Sequence, residues 1–313
     1  MEDSKIFGGG MDVAVMVEGQ NGLTWERWQR IARVAEDGGF AGLFRSDHFT
    51  NSQPPDMESL ELWVSLTWLA AHTRRIEFGP LVTPFSFRHP ALTARMGAAV
   101  DDLSGGRLIL GLGAGWQERE HHIFGFDLLD MQGRFARFEE GLECVTQLLQ
   151  SDGPVTFQGD HFRLDGAQVL PRPQRRGGPR ILVGGNGMRQ TLPLVARYAS
   201  EWNANFIGPE EFRRLNTRLD ELLIEQGRPA DSVRRSLMTG CVFGKDQKAL
   251  DAKLAKRGRT RDELLGRGIV VGAGDEIGPQ LRAYADAGVQ RVMLQWLDLD
   301  DIEGLEEMGK VVL

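Results

Sequence analysis

Two adjacent residues, Asp47 and His48, are candidates for acid–base chemistry in this chain. An imidazole titrates near neutral pH, and a neighbouring carboxylate can orient it and raise its pKa. Both residues follow Phe40 to Phe44, an apolar run that predicts a buried strand. The alternative is that the two side chains only cap the loop after that strand. We favour the chemical role because both lie at a strand end.

Two glycine-rich segments are candidates for ligand binding. Gly111, Gly113 and Gly115 lie at the end of one apolar run, and the segment Gly184 to Gly187 follows another. Glycine lets the backbone approach a flat or phosphorylated ligand closely. The second segment opens a predicted helix, whose N-terminal amides favour an anion. Tight turns without a ligand remain the alternative for both segments.

Two tryptophans, Trp116 and Trp202, follow or lie within predicted strands near these segments. Large flat side chains there could form the wall of a pocket for a heteroaromatic ring. The alternative is that both belong to the hydrophobic core, where tryptophan is common.

Predicted strands and helices alternate along the chain, which is typical of a parallel α/β fold. The strands are expected at Asp12–Val17, Phe40–Phe44, Ile76–Val82, Arg107–Leu112, Arg180–Val183, Glu201–Asn205, Leu237–Phe243 and Arg291–Gln295. The helices are expected at Thr24–Asp37, Glu58–His72, Pro90–Leu103, Gly133–Gln150, Arg189–Tyr198, Pro209–Gln226, Gln247–Ala255, Arg261–Leu265 and Ile277–Ala287.

Eight mostly apolar strands predict a (β/α)8 TIM barrel that forms one domain over residues 1–313. A β-hairpin, Val155 to Phe157 and His161 to Leu164, is expected as a small insertion at about residues 151–175, between strands four and five. A doubly wound sheet is less well supported, because Glu18 to Gly22 after the first strand is no dinucleotide fingerprint. In a barrel the candidate residues share the C-terminal mouth.

Bulk composition narrows the function classes. The 313 residues carry a net charge of −7, which argues against a nucleic-acid-binding protein. The two cysteines and six histidines show no metal-binding spacing, so we expect no metal site. No apolar run is long enough to span a membrane, and Met1 to Gly10 lacks a signal-peptide pattern. We therefore expect a cytoplasmic protein with a small-molecule substrate.

In combination these segments resemble the bacterial luciferase-like superfamily of flavin- and deazaflavin-dependent oxidoreductases. The matching segments are Gly39–Phe49, Phe87–Leu92, Leu103–Leu108, Gly113–Trp116, Arg134–Glu140, Leu170–Pro173, Val183–Gly185 and Trp202–Asn203. The Gly113 to Trp116 segment resembles the corresponding segment in the subgroup that uses the deazaflavin coenzyme F420. The resemblance implies a (β/α)8 barrel with the tricyclic ring of the coenzyme at its mouth.

The resemblance also implies roles for individual residues. A non-proline cis peptide backs the ring in deazaflavin members, and by position it would join Leu81 to Val82. The residues implied to contact the cofactor are Asp47, Thr83, Ala114, Gly115 and Gln117. The residues implied to hold its ribityl-phosphate arm are Gly184, Gly185, Asn186, Gly187 and Met188. His48 matches a proton-donating histidine of the sugar-phosphate dehydrogenase branch.

The chain departs from that branch at two positions. Trp116 stands where the branch has its second acid–base glutamate, and Thr50 to Ser52 lacks a tryptophan that the branch has there. We therefore do not expect glucose 6-phosphate as substrate, and the bulky Trp116 indicates a more apolar pocket.

The sequence-based hypothesis is hydride transfer between F420 and a small organic substrate, with His48 oriented by Asp47. The alternatives are an FMN-dependent monooxygenase supplied with reduced flavin by a partner reductase, and a non-catalytic flavin-binding protein. A homodimer is expected by resemblance, with Leu60, Trp63 and Trp68 as candidate contacts. The other explanation for these three side chains is that they cover the barrel's own strands.

Overall fold

The structure is a computed structural model that describes residues 10–313. Its twelve strands are β1 Asp12–Val17, β2 Gly42–Arg45, β3 Glu77–Pro80, β4 Thr83–Pro84, β5 Ile109–Gly113, β6 Val155–Gln158, β7 Arg163–Ala167, β8 Arg180–Gly184, β9 Glu201–Asn205, β10 Arg234–Gly244, β11 Val270–Ala273 and β12 Arg291–Gln295. The prediction that the N-terminal segment lacks a signal-peptide pattern concerns residues that, apart from Gly10, lie outside the described part of the chain.

The helices pack around the strands. They are α1 Trp25–Asp37, α2 Leu62–His72, α3 Pro90–Ser104, α4 Glu118–Phe124, α5 Met131–Gln150, α6 Thr191–Tyr198, α7 Pro209–Glu225, α8 Gln247–Arg257, α9 Arg261–Leu265, α10 Ile277–Asp286 and α11 Ile302–Val312. Helices α1 and α5 begin at polar caps: the Thr24 hydroxyl accepts from the Arg27 amide, and the Asp130 carboxylate accepts from the Gly133 amide.

Nine of the strands form one parallel barrel in the order β3-β2-β1-β12-β10-β9-β8-β5-β4. They occupy eight barrel positions, because β3 and β4 are two halves of the predicted third strand. The lower half pairs with β2 and the upper half with β5. A parallel bridge between Phe78 and Leu108 joins β3 to the chain that enters β5 and closes the ring. The predicted eight-position (β/α)8 barrel is therefore confirmed.

The barrel interior holds two chemically different layers. The central layer is apolar and consists of Ala14, Met16, Phe44, Leu81, Ile109, Leu182, Met238 and Met293. Below it, at the N-terminal ends of the strands, the buried Arg291 guanidinium lies 3.1 Å from a Glu201 carboxylate oxygen and also binds Glu77. The C-terminal mouth lies at the opposite end of the barrel.

Two pieces of sheet lie outside the barrel. β6 and β7 pair antiparallel with each other, between β5 and β8 along the chain. β11 pairs with the upper end of the 11-residue strand β10 and, with α8 and α9, covers a small apolar cluster. The sequence analysis missed β11, α4 and α11. β11 and α4 are short, whereas the buried apolar residues of α11, Leu305, Met308 and Val312, recur at helical spacing and were a detectable signal.

Candidate active site

The candidate residues meet at the mouth because parallel strands all end on the same side of the barrel. Asp47 and His48 follow β2, Thr83 begins β4, Ala114 to Trp116 follow β5, and Gly184 ends β8. Glu18 follows β1, where its carboxylate accepts a 2.6 Å hydrogen bond from the Gln295 amide at the end of β12.

The carboxylate that faces His48 is Glu120 from helix α4. Glu120 Oε1 lies 2.9 Å from His48 Nδ1, and Oε2 accepts a 3.0 Å hydrogen bond from the Phe49 amide. The Glu120 side chain is buried, whereas that of His48 is 19% exposed. A carboxylate at Nδ1 fixes the proton on that nitrogen, so Nε2 is the ring nitrogen left for other partners.

The expectation that Asp47 orients His48 is therefore wrong. Residues next to each other at a strand end project in different directions, and here the two side chains bind different partners. Asp47 accepts hydrogen bonds from the Thr83 hydroxyl at 2.5 Å and from Arg88 at 2.7 and 3.0 Å. Arg88 also donates to Glu61 at 2.8 Å, so it connects the buried carboxylate to one at the surface.

Burial and charge act in opposite directions on these groups. Burial lowers the pKa of His48, but the hydrogen bond and charge of Glu120 outweigh it, so the pKa lies above its ordinary value. Burial raises the pKa of Glu120, and its contact with His48 more than reverses that rise. Burial raises the pKa of Asp47, and the contacts with Arg88 offset part of that rise. His48 and Glu120 therefore each favour the charged form of the other.

The peptide bond between Leu81 and Val82 is cis, as the family resemblance predicts. It lies between β3 and β4, and Leu81 points into the apolar interior of the barrel. The half-buried Val82 side chain packs against three glycines, Gly111, Gly113 and Gly184. A Cβ atom added to any of the three would meet a Val82 methyl group. These glycines make room for Val82, which lies at the centre of the mouth.

Gly115 serves a different purpose from Gly111 and Gly113. Its φ of 84° lies in the left-handed region, and an added Cβ would lie 2.5 Å from Ser86 Oγ. Among residues 10–313 that buried Oγ has no hydrogen-bond partner. The loop therefore has a close backbone approach and an available hydroxyl beside Ala114, which are features of a ligand cradle.

The segment Gly184 to Met188 forms a turn ahead of helix α6. Asn186 fixes the turn by donating a 2.7 Å hydrogen bond to the Asn205 carbonyl and accepting a 3.0 Å bond from the Asn205 amide. Within the described residues, the amides of Asn186, Gly187 and Met188 have no protein acceptor. Backbone amides left without acceptors before a helix are suited to a phosphate group.

The two tryptophans have different positions. Trp116 is 60% exposed, and its ring meets the His48 ring edge-on with centroids 5.4 Å apart. Trp202 is fully buried on the outer face of β9, where it stacks on Phe212 of α7 and its indole donates to the Gly185 carbonyl. The expectation that Trp202 lines the pocket is wrong, because alternate strand residues face opposite sides and Asn203 faces the interior.

Gln117 is also placed differently from the expectation. Its buried side chain donates a 2.9 Å hydrogen bond to the Thr50 carbonyl. The backbone carbonyl of Gln117 accepts a hydrogen bond from the His121 ring. Its side-chain nitrogen therefore fastens the loop after β2 to the start of helix α4.

Two residues of the candidate site, Glu120 and Arg88, were not predicted from the sequence. Glu120 lies in a short helix with a glutamate-rich start and a glycine stop, Gly125, which together were a detectable helix signal. Arg88 precedes the Pro90 that opens α3, in a segment noted only for its resemblance to the family.

Residues 10–313 contain neither a metal-ligand cluster nor a membrane-spanning helix. No three His, Cys, Asp or Glu side chains in this range group as metal ligands. No helix within the range is both long enough and apolar enough to cross a membrane.

Comparison with known proteins places this site in a family. The profile of the family described as luciferase-like monooxygenase matches residues 11–260. An F420-dependent glucose-6-phosphate dehydrogenase from Amycolatopsis mediterranei (strain U-32) is 28% identical, over 89% of this chain and 91% of the relative. A 4-hydroxyprotoasukamycin monooxygenase from Streptomyces nodosus subsp. asukaensis is 29% identical, over 67% of this chain and 54% of that protein.

A solved structure supports the fold independently of close sequence identity. An F420-dependent secondary alcohol dehydrogenase superposes with a TM-score of 0.86 over 97% of this chain and 98% of that chain, at 18% identity. The family profile covers most of the sequence, and its motifs meet at one barrel mouth. The chain therefore belongs to the luciferase-like monooxygenase family.

Proposed function

We propose that this protein is an F420-dependent oxidoreductase that transfers hydride between the deazaflavin and a small organic substrate. The observation that carries the proposal is the His48–Glu120 pair at the barrel mouth. Glu120 holds Nδ1, so Nε2 is the atom that exchanges a proton with the substrate. The F420-dependent dehydrogenase that matches nearly the whole chain supports the same cofactor.

The residues at the mouth fit a flat ring with a phosphate arm. Val82 offers an apolar surface at the centre, and Thr83 and Asp47 offer polar groups beside it. The Gly115 loop permits close approach, and the acceptor-free amides of the 186–188 segment suit the phosphate. When bound there, F420 supplies the two-electron hydride chemistry.

His48 handles the proton that accompanies the hydride. For reduction of a carbonyl-type substrate, hydride adds to carbon while the Nε2 proton goes to oxygen, which leaves His48 neutral. In the oxidation, Nε2 takes the hydroxyl proton as hydride leaves the carbon. The raised pKa enlarges the protonated fraction of His48 at neutral pH, which suits it to donate.

The substrate that we propose is uncharged. On its exposed side, the His48 ring is in contact with the apolar ring of Trp116. Two arginines near the mouth are engaged, because Arg88 binds Asp47 and Glu61, and Arg119 binds Asp56. Because Trp116 presents an apolar ring beside His48, the substrate of the dehydrogenase relative is not carried over to this chain.

A second candidate function is an FMN-dependent monooxygenase that receives reduced flavin from a partner reductase. The similarity to a monooxygenase from Streptomyces nodosus favours it. The proposed ring and phosphate sites would accept FMN as well, because both coenzymes have a tricyclic ring and a ribityl-phosphate arm. The cofactor preference therefore separates the two functions.

The test is a paired titration of the purified protein with F420 and with FMN, followed by tryptophan fluorescence. Tight F420 binding with weak FMN binding is the expected result. The reverse preference, with oxygen consumption on reduced FMN, would establish the monooxygenase alternative. In a substrate screen with bound F420, His48→Ala should lose turnover and keep F420 affinity. Tight binding with no turnover on any substrate would indicate a flavin-binding protein.

We also propose a homodimer in a reducing cytoplasm. Cys144 and Cys241 are buried free thiols, which fits that compartment. Trp63 is buried against the barrel, so it covers the protein's own strands. Val64 and the partly exposed Trp68 of the same helix are left as contacts for a second copy. Light scattering tests the mass, with a monomer contradicting the proposal.

A further inference from the structure

One stretch of the mouth exposes an unusual amount of apolar surface. Six of the sixteen exposed large hydrophobic side chains among residues 10–313 lie between positions 116 and 131. We call this stretch the apolar rim; its exposed members are Trp116, Ile123, Phe124, Phe126, Leu129 and Met131. Clustered exposed apolar side chains of this kind mark binding surfaces.

The backbone of the apolar rim is held in place. Gly125 ends α4 in the left-handed conformation with φ 73°, and the Phe126 amide donates to the His121 carbonyl at 2.9 Å. Arg137 donates to the Leu128 carbonyl at 3.1 Å. The apolar side chains are therefore presented to solvent by an ordered turn, although turning them inward would reduce their exposure.

The apolar rim is continuous with the proposed site of proton transfer. Trp116 meets the His48 ring, and Phe124 packs edge-on against Phe49 with centroids 5.0 Å apart. Phe49 directly follows His48, and its amide binds Glu120. Phe126 reaches the same cluster through Phe87, at a centroid distance of 5.5 Å. Aromatic side chains of the rim thus lie against His48 and around Phe49, the residue that follows it.

Charge does not compete with this surface. Arg119 on the same helix is paired with Asp56, at 2.6 Å. The exposed charges within the rim, Glu118, Asp127 and Asp130, are all acidic, so the rim disfavours an anionic ligand. The large exposed side chains between these charges are apolar, so the rim suits an apolar group rather than an anion.

We infer that the apolar rim binds the hydrocarbon or aryl portion of an uncharged substrate whose reacting carbon lies beside His48. This inference rests on the proposed function, which it deepens by naming the substrate class. The occupant is part of the substrate, since the surface begins at the reacting histidine.

The test uses N-phenyl-1-naphthylamine, an uncharged fluorescent probe, with the protein loaded with F420. Phe124→Ser and Phe126→Ser should each weaken probe binding about tenfold, because each removes a large apolar contact. Ile224→Ser is the matched control; Ile224 is 70% exposed on α7, outside the rim, and its variant should bind the probe as the wild type does. F420 affinity should be the same in all four proteins.

The two proposals fail in different ways. Unchanged probe binding in both phenylalanine variants, with F420 affinity intact, would overturn the apolar rim and leave the cofactor assignment standing. If the wild type binds neither F420 nor FMN, the proposed function fails, and the assignment of the rim to a substrate fails with it. A dimer that Phe124→Ser converts to a monomer would make this surface a subunit interface and overturn the inference.

Discussion

Glu120 Oε1 lies 2.9 Å from His48 Nδ1, although the two residues are 72 positions apart in the sequence. The pairing places a buried carboxylate behind the histidine and leaves Nε2 toward the mouth. Glu120 also binds the Phe49 amide, so the loop after β2 and helix α4 are held together at this point. The acid–base properties of His48 therefore depend on α4.

Replacing Glu120 with Gln should shift the pH profile of turnover. Glu120 raises the pKa of His48, so its loss lowers that pKa. Protonated His48 is the donor in reduction, so the fall in kcat/KM that follows its deprotonation should move to lower pH in Glu120→Gln. The measurement is the pH dependence of kcat/KM with reduced F420. Glu118→Gln, an exposed change on the same helix, is the control, and an unshifted Glu120→Gln profile would rule out this role.

Replacing Arg88 with Leu should destabilise the fold because the Asp47 carboxylate is then buried without its cation. Breaking a buried ion pair from one side typically costs about 3–5 kcal/mol. The double variant Arg88→Leu/Asp47→Asn should recover part of the free energy of unfolding, since no charge is left unpaired. Denaturant unfolding of the two variants tests this, and equal stabilities would mean that Asp47 does not need Arg88.

Replacing Gly113 with Ala should weaken F420 binding. The new Cβ meets Val82 Cγ2, and the resulting displacement of Val82 disturbs the surface proposed to hold the ring. Overpacking of this kind typically costs about 1–3 kcal/mol of stability. The double variant Gly113→Ala/Val82→Ala removes the clash and should regain stability. F420 titration and thermal unfolding measure the two effects; a Gly113→Ala protein that behaves as the wild type would contradict the packing argument.

Replacing Arg291 with Met should destabilise the barrel without changing the chemistry at the mouth. Arg291 binds Glu201 and Glu77 at the N-terminal end of the barrel, and its removal leaves the buried Glu201 carboxylate without its cation. We expect a loss of about 3–5 kcal/mol in the free energy of unfolding. Arg218→Met, which breaks an exposed ion pair on α7, should change it by no more than about 0.5 kcal/mol. The pKa that governs the turnover profile should be the same in both variants.

Much of the fold followed from periodicity. The eight predicted barrel strands are all observed. They could be predicted because buried parallel strands are near-continuous apolar runs, as in Asp12–Val17 and Arg291–Gln295. The third strand was correctly located, but its division into β3 and β4 was not deduced from periodicity. The pairing of each half with a different neighbour depends on contacts distant in sequence.

The sequence predicted where the candidate site lies, but not which side chains contact each other within it. Asp47 and His48 do lie at the mouth, but proximity in sequence did not reveal that each binds a different partner. Trp202 was misplaced, although the alternation of Trp202 and Ala204 with Asn203 and Asn205 indicates an outward-facing tryptophan. Glu120 could not be assigned to His48, because the contact forms only when α4 packs across the loop after β2.

The two sides of helix α4 influence how substrate specificity can change during evolution. It carries Glu120 on its buried side, and Ile123 and Phe124 on its exposed side. A descendant of this protein can exchange the exposed positions to suit a new substrate while the buried glutamate is inherited unchanged. Changes that shift the whole helix would alter substrate choice and proton transfer together, so selection is expected to act on individual side chains of α4 rather than on its length.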